Sequence, residues 1–226
     1  VIMDRSVKFW DKIAERYSKQ PIADEAAYQK KLQVTQEYLQ PEMEVLELGC
    51  GTGSTAIIHA PYVKHIQAID VSSKMLAIAQ SKADAKDIGN ITFKQAAVDE
   101  FSAPDQTFDA VLGLSLLHLL ENKEEVIAKV HRMLKPDGIF VTNTVCLGDT
   151  MAWFKLIAPI GKFFGFFPLV KVFTVKDLEN SLTDASFYID YQWQPDTAKV
   201  GFIVAKAVFI VAKKAESEMG DRENSI

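Results

Sequence analysis

Cysteine is scarce: Cys50 and Cys146 are the two in 226 residues, and they form no C-x-x-C pair. That excludes a disulfide framework and a cysteine zinc site, and it leads to the expectation of a reducing, cytoplasmic setting. His59, His65 and His131 lack metal-ligand spacing, so no metal is expected. Basic charge is not in excess. A formal charge of −5 gives no generic attraction to nucleic acid, although a local basic patch stays open. No Pro-, Gly- or Ser-rich spacer and no internal repeat interrupts the chain, which therefore reads as one large domain. The opening stretch, VIMDRSVKFWDK, is charged throughout and holds no apolar run of signal-peptide length. What remains, 48% apolar and 24% charged residues, is an ordinary globular composition.

Between about Val7 and Gln40, apolar residues recur at spacings of three and four, and Pro21 splits the stretch into two predicted helices. Strand-like and helix-like runs then alternate. Strands are expected at Met43–Gly49, HIQAIDVS, ITFKQAAV, FDAVLGL and IFVTNTVC. Helices are expected after Gly53, after the cap signal Ser72-Ser73, and over NKEEVIAKVHRMLKPDG up to Pro136. Such alternation predicts a parallel sheet covered by helices on both faces. A short helix, KDLENSLTDASF, and two more strand-like runs, YIDYQWQ and VGFIVAKAVFIVAKK, follow. Their closeness in sequence predicts antiparallel pairing.

The stretch EVLELGCGTGS carries the chemistry. Gly49, Gly51 and Gly53 stand at alternate positions directly after an apolar strand, with Glu47 just upstream. Glycines there let the main chain pass close to a ligand. The pattern G-x-G-x-G followed by Ser54 departs from the G-x-G-x-x-G of nicotinamide cofactor sites, and it lacks the Lys-Ser/Thr of a phosphate loop. Glu47 would repel a phosphate, so a ligand bearing a cation fits better. The plainer alternative is a tight strand–helix turn, with Asp70 serving as a helix N-terminal charge.

The segment ELGCGTG with Asp70 at the end of the next strand, FDAVLGLSLLHLL and MLKPDGIFVTNT together resemble the class I S-adenosylmethionine-dependent methyltransferases. The likeness covers residues 40 to 148 by motif and 176 to 212 by pattern. It implies a three-layer α/β/α sandwich around a mostly parallel seven-stranded sheet with a C-terminal antiparallel hairpin. It also implies S-adenosyl-L-methionine as cofactor, S-adenosyl-L-homocysteine as product, and methyl transfer to a small molecule. By the same likeness, the turn Gly49, Cys50, Gly51 and Gly53 underlies the cofactor, with the Cys50 side chain as a small packing residue. Glu47 holds the aminoacyl end and Asp70 accepts both ribose hydroxyls. Val71 or Met75 lies against adenine, and Leu114 belongs to the fourth-strand loop beside the cofactor. Ala97 stands where the family often has an acid, so either Asp99 substitutes or the backbone around Ala97 and Val98 reads the adenine. His118 is the titratable candidate for a base, against a packing or cofactor-contact role. Tyr17 and Tyr28 lie on helices that fold over the site in this family; the alternative for both is plain packing.

The run from Thr150 to Phe173 is rich in aromatics and broken by Pro159, Gly161, Gly165 and Pro168. Those breaks and its lysines argue against a transmembrane helix. It reads as a lid over an apolar acceptor pocket, a surface segment touching lipid through Lys155, Lys162 and Lys171, or a dimer contact. The expected division is a helical cap over 1–40, a cofactor core over 41–148 and a lid-like insertion over 149–175. A helix and hairpin over 176–214 and a tail over 215–226 complete it. Expected partners are a small-molecule acceptor, no nucleic acid, a possible peripheral membrane contact through 150–173, and a monomeric or homodimeric state. Two alternatives to a small-molecule enzyme stand: a membrane-surface phospholipid or quinone methyltransferase, and a non-catalytic S-adenosylmethionine-binding protein.

Overall fold

The computed structural model describes residues 2–149, 171–195, 198–200 and 203–215. Two helices lead, α1 (Ile2–Ser18) and α2 (Glu25–Tyr38), with Asp24 capping α2 by accepting from the Ala27 amide at 2.9 Å. The break between them holds Pro21, which can neither donate to nor continue a helix. The core then alternates β1 (Glu44–Leu48), α3 (Ser54–His59), β2 (His65–Asp70), α4 (Ser73–Asp84), β3 (Ile91–Gln95), β4 (Phe108–Leu114), α5 (Lys123–Met133) and β5 (Leu134–Cys146). After the undescribed segment come α6 (Val175–Asp184), opened by a Thr174/Asp177 capping box, then β6 (Phe187–Trp193), β7 (Ala198–Val200) and β8 (Ile203–Lys214).

The sheet runs β3-β2-β1-β4-β5-β8-β6, and β8 is antiparallel to both of its neighbours in that path. This is the expected mostly parallel sheet with an antiparallel C-terminal pair. The short β7 adds one antiparallel strand, pairing Val200 with Ile203 on β8. Apolar side chains fill both faces. One cluster, with Val45, Leu112, Val141 and Phe209, packs under α2 and α3. The other, with Leu46, Val111, Phe140 and Val208, packs under α5 and α6.

Two boundaries differ from expectation. The helix expected to reach Pro136 ends at Met133, and Leu134 already pairs with Phe108. Proline disfavours helix in the residue before it and removes a donor, so the chain leaves the helix early. It enters β5 through an irregularity, with Asp137 at φ 60°. Lys135 and Asp109 brace that bend at 2.8 Å, and Asp109 also accepts from the Glu44 amide. The third strand stops at Gln95 rather than Val98 because the chain folds into a turn closed by Phe101 N–H donating to the Ala97 carbonyl at 2.8 Å. The lid, lipid-contact and dimer readings of 150–173 fall, apart from residues 171–173, outside the described residues.

Candidate active site

The strand order reverses at β1, whose neighbours β2 and β4 lead to opposite ends of the sheet. Open α/β sheets bind ligands at the carboxyl ends of the strands beside such a reversal. The glycine turn sits there. Gly49, Gly51 and Gly53 all adopt positive φ, at 65°, 54° and 71°. Their steric surroundings differ. A Cβ on Gly49 would meet Leu116 at 2.9 Å and one on Gly53 would meet Ala79 at 2.7 Å, whereas one on Gly51 would meet nothing within 4 Å. Gly53 is therefore required by packing as well as by conformation, whereas at Gly49 the obstacle is the flexible tip of Leu116. Gly51 faces open space.

Two carboxyl groups flank the turn. Asp70 ends β2 and clamps both sides of the crevice: Oδ2 accepts from the Gly51 amide at 2.9 Å and Oδ1 from the Ser72 amide at 2.8 Å. Burial raises its pKa, and the backbone donors partly offset that. Each oxygen keeps a second lone-pair site for a ligand donor. Glu47 is 3% exposed at the end of β1, and its Oε2 is buried with no hydrogen-bond partner. Burial, with Asp70 nearby, lifts its pKa to about 8. A buried carboxyl with a free oxygen beside a bare main-chain turn is complementary to a ligand bearing an ammonium and a string of hydroxyls.

The other anticipated residues distribute around this crevice. The Cys50 side chain is buried, and burial holds its thiol well above the ordinary range. Val71 follows Asp70, and its carbonyl accepts from Gln95 Nε2 at 3.0 Å. Met75 is 1% exposed, so in this state it is sealed in the core rather than lining open space. Ala97 and Val98 form the turn after β3, and Leu114 ends β4. Tyr17, on the last turn of α1, has its phenol raised by burial and by Asp70. Tyr28 on α2 has its phenol raised, chiefly by burial. His118 lies on the one-turn 3-10 helix Leu117–Leu119 with Nδ1 buried and unpartnered, and burial lowers its pKa to about 4. No hydrogen bond joins its Nδ1 to Glu47 or Asp70.

Some contributors escaped the sequence. Asp11 of α1 accepts from Ser72 Oγ at 2.5 Å and the Lys74 amide at 3.3 Å, pinning α1 to the start of α4. Lys129 of α5 donates to the carbonyls of Val98, Asp99 and Phe101, shaping the turn after β3. Asn143 of β5 is buried and donates to Ser115 Oγ at 3.3 Å. A polar Asn inside the apolar run IFVTNTVC was a visible signal for the last of these; nothing local marks the other two. A cavity of about 570 Å³ lies between α5 and α6, bordered by Lys123, Phe173 and Ser181, and no glycine-turn residue lines it. Among the described residues no cluster could hold a metal ion.

Residues 45–138 match the family described as "Methyltransferase domain". Over these residues the chain is similar to methyltransferase domains. Over 100 residues this chain is 32% identical to an uncharacterized methyltransferase, YcgJ, of Bacillus subtilis, in a match covering 44% of the chain and 40% of YcgJ. A demethylmenaquinone methyltransferase of Symbiobacterium thermophilum is 28% identical over 185 residues, covering 75% of this chain and 69% of the relative. The crystal structure of YcgJ superposes with a TM-score of 0.69 at 17% identity, covering 84% of this chain and all of that one, which establishes the shared fold. In sequence, the match spans less than half the length of YcgJ. Class I methyltransferase domains take S-adenosylmethionine. The residues here fit it: Glu47 has a buried free oxygen that would suit the cofactor's ammonium, and the space above Gly51 is where a side chain would otherwise sit.

Proposed function

We propose that the chain is an S-adenosylmethionine-dependent methyltransferase acting on a small, partly apolar acceptor. The observation that supports it most is the juxtaposition of the open Gly51 main chain with two buried carboxyl groups, one of them unpaired. When bound, the cofactor supplies a methyl group on a sulfonium, which is a good leaving group. The residues of the chain then have mainly positioning and desolvation to perform. Glu47 pairs with the ammonium, Asp70 takes the ribose hydroxyls, and the main chain at 49–53 underlies both. The turn at Ala97 and Val98, held in shape by Lys129, receives the adenine. Tyr17 and Tyr28 are protonated at neutral pH, as phenols of ordinary or raised pKa are, so each has a hydroxyl to donate to the cofactor or acceptor. His118 is neutral at pH 7 and is available to take a proton from the acceptor. Its low basicity suits an acceptor whose proton leaves readily. Calorimetry of the purified chain tests this reading. Saturable heat is expected with S-adenosylmethionine and S-adenosylhomocysteine, and no heat from either at millimolar concentration overturns it.

A second reading is an isoprenoid-quinone or phospholipid acceptor met at a membrane surface. The demethylmenaquinone methyltransferase relative, aligned over 75% of this chain, favours it. No helix among the described residues is long and apolar enough to cross a membrane. Co-sedimentation with anionic liposomes that disappears on deleting residues 150–173 would support it. Co-sedimentation indifferent to that deletion, or none, would oppose it.

A further inference from the structure

Polar atoms buried without a partner are rare in folded chains, and each one asks for an explanation. Among the described residues they belong to four side chains: Glu47, His59, His118 and Asn143. Glu47 is accounted for by the cofactor reading. Asn143 is not accounted for by anything above. It is 7% exposed, its Nδ2 donates to Ser115 Oγ at 3.3 Å, and its Oδ1 has no partner. Turning the amide over would only move the unmet end from oxygen to nitrogen. A purely structural tether of the loop after β4 needs only the contacts already made: Ser115 N–H donating to the Asn143 carbonyl at 2.7 Å, and the side-chain bond to Ser115. It gives no reason for the remaining carbonyl to be buried unmet.

Strand alternation places that carbonyl. Side chains two residues apart on a strand share a face. Val45 of β1 and Val141 of β5 both pack under α2 and α3, so Glu47 and Asn143 lie on that same face, each nearer the carboxyl end of its strand. β4 alone separates the two strands, a lateral distance of about 10 Å at ordinary strand spacing. The registered neighbours of Asn143 are Leu114 on β4 and Phe209 on β8, both apolar. The crevice face thus runs from a carboxyl group over the cofactor's aminoacyl end, across Leu114, to a single hydrogen-bond acceptor set among apolar groups.

We propose that Asn143, steadied by Ser115, receives the methyl acceptor, and that the acceptor presents a hydroxyl there on an otherwise apolar body. This rests on the methyltransferase reading and narrows it to a class of substrate. Neither Leu114 nor Phe209 can satisfy the carbonyl, and a hydroxyl hydrogen can. An acceptor without a donor would leave the carbonyl unmet and be disfavoured, since a site built to hydrogen-bond a substrate hydroxyl rejects the analogue that lacks it.

The test uses the full chain with S-adenosylhomocysteine and two probes differing in one donor, 1-naphthol and 1-methoxynaphthalene. S-adenosylhomocysteine is titrated first; if it does not bind, the methyltransferase reading falls and this proposal with it. If it binds, the complex is expected to take 1-naphthol at least about tenfold more tightly than the methyl ether, the value of one good hydrogen bond. Asn143→Val, a strand-compatible change, should erase that preference while leaving S-adenosylhomocysteine affinity unchanged. Asn143→Asp, which keeps an acceptor oxygen, should retain it. Should Asn143→Val not fold, Ser115→Ala at its exposed position frees the amide and should lower the preference severalfold. Equal affinity for the two probes, or a preference that survives Asn143→Val or is untouched by Ser115→Ala, overturns the assignment of Asn143 and leaves the cofactor site standing.

Discussion

Replacing Glu47 by Gln gives the sharpest test of how the site handles charge. The Glu47 carboxyl has an ordinary pKa of 4.5 and is lifted by burial to about 8. At about 1.4 kcal/mol per tenfold change in proton affinity, ionising it in the folded, ligand-free chain costs about 5 kcal/mol. The sign follows from proton counting. Between pH 4.5 and 8 the folded chain keeps a proton that the unfolded chain has released, so stability falls as pH rises through that window. About 2 kcal/mol of the loss appears between pH 6.5 and 8.5, where the buried histidines no longer titrate. Urea unfolding at those two pH values should show that fall in the wild type and not in Glu47→Gln. Cofactor binding should reverse the charge state. An ammonium set against Glu47 favours the carboxylate, so at pH 7 binding of S-adenosylhomocysteine should expel about 0.9 of a proton. Calorimetry in two buffers of different ionisation enthalpy counts it, with Glu47→Gln as the control for protons from the ligand. Equal proton release by wild type and Glu47→Gln would refute the pairing. Equal pH slopes of stability would refute the buried, protonated state itself.

Asp70→Ala should weaken S-adenosylhomocysteine binding by about 10- to 100-fold, the value of hydrogen bonds to a charged group, with little change in turnover at saturating cofactor; calorimetry and a saturation curve separate the two. Gly51→Ala should lose only about 1–2 kcal/mol of stability, from its positive φ, yet lose cofactor binding. Gly53→Ala should melt lower still, because its new methyl would sit 2.7 Å from Ala79. His59 is fully buried with neither ring nitrogen bonded, and burial lowers its pKa from 6.5 to about 4. Acid favours the unfolded chain, which alone takes up the proton, so between pH 6.5 and 4 this residue should remove about 3 kcal/mol of stability that His59→Leu retains, measured by urea unfolding.

The chain's pattern alone determined the α/β alternation, because periods of two and of three to four write themselves into apolar spacing. It also determined the carboxylate-flanked glycine turn, since consecutive residues stay together whatever the fold does. At Pro136 a local rule acts: the helix is legible in the sequence, but it ends at Met133 because proline removes a donor and restricts the residue before it. Only the tertiary structure decided which glycine is open. Gly49 and Gly53 are crowded by Leu116 and Ala79, residues distant in sequence, and Gly51 is not. Only tertiary structure joined Asp11 to Ser72, Lys129 to the turn after β3, and Asn143 to Ser115. Each of those bonds links residues that share no local period, so the pairing exists only once the fold has set which elements lie side by side. Burial, too, is collective. The same Glu47 reads as a charge in the sequence, and becomes an acid of pKa about 8 only when α2, α3 and the sheet remove it from water.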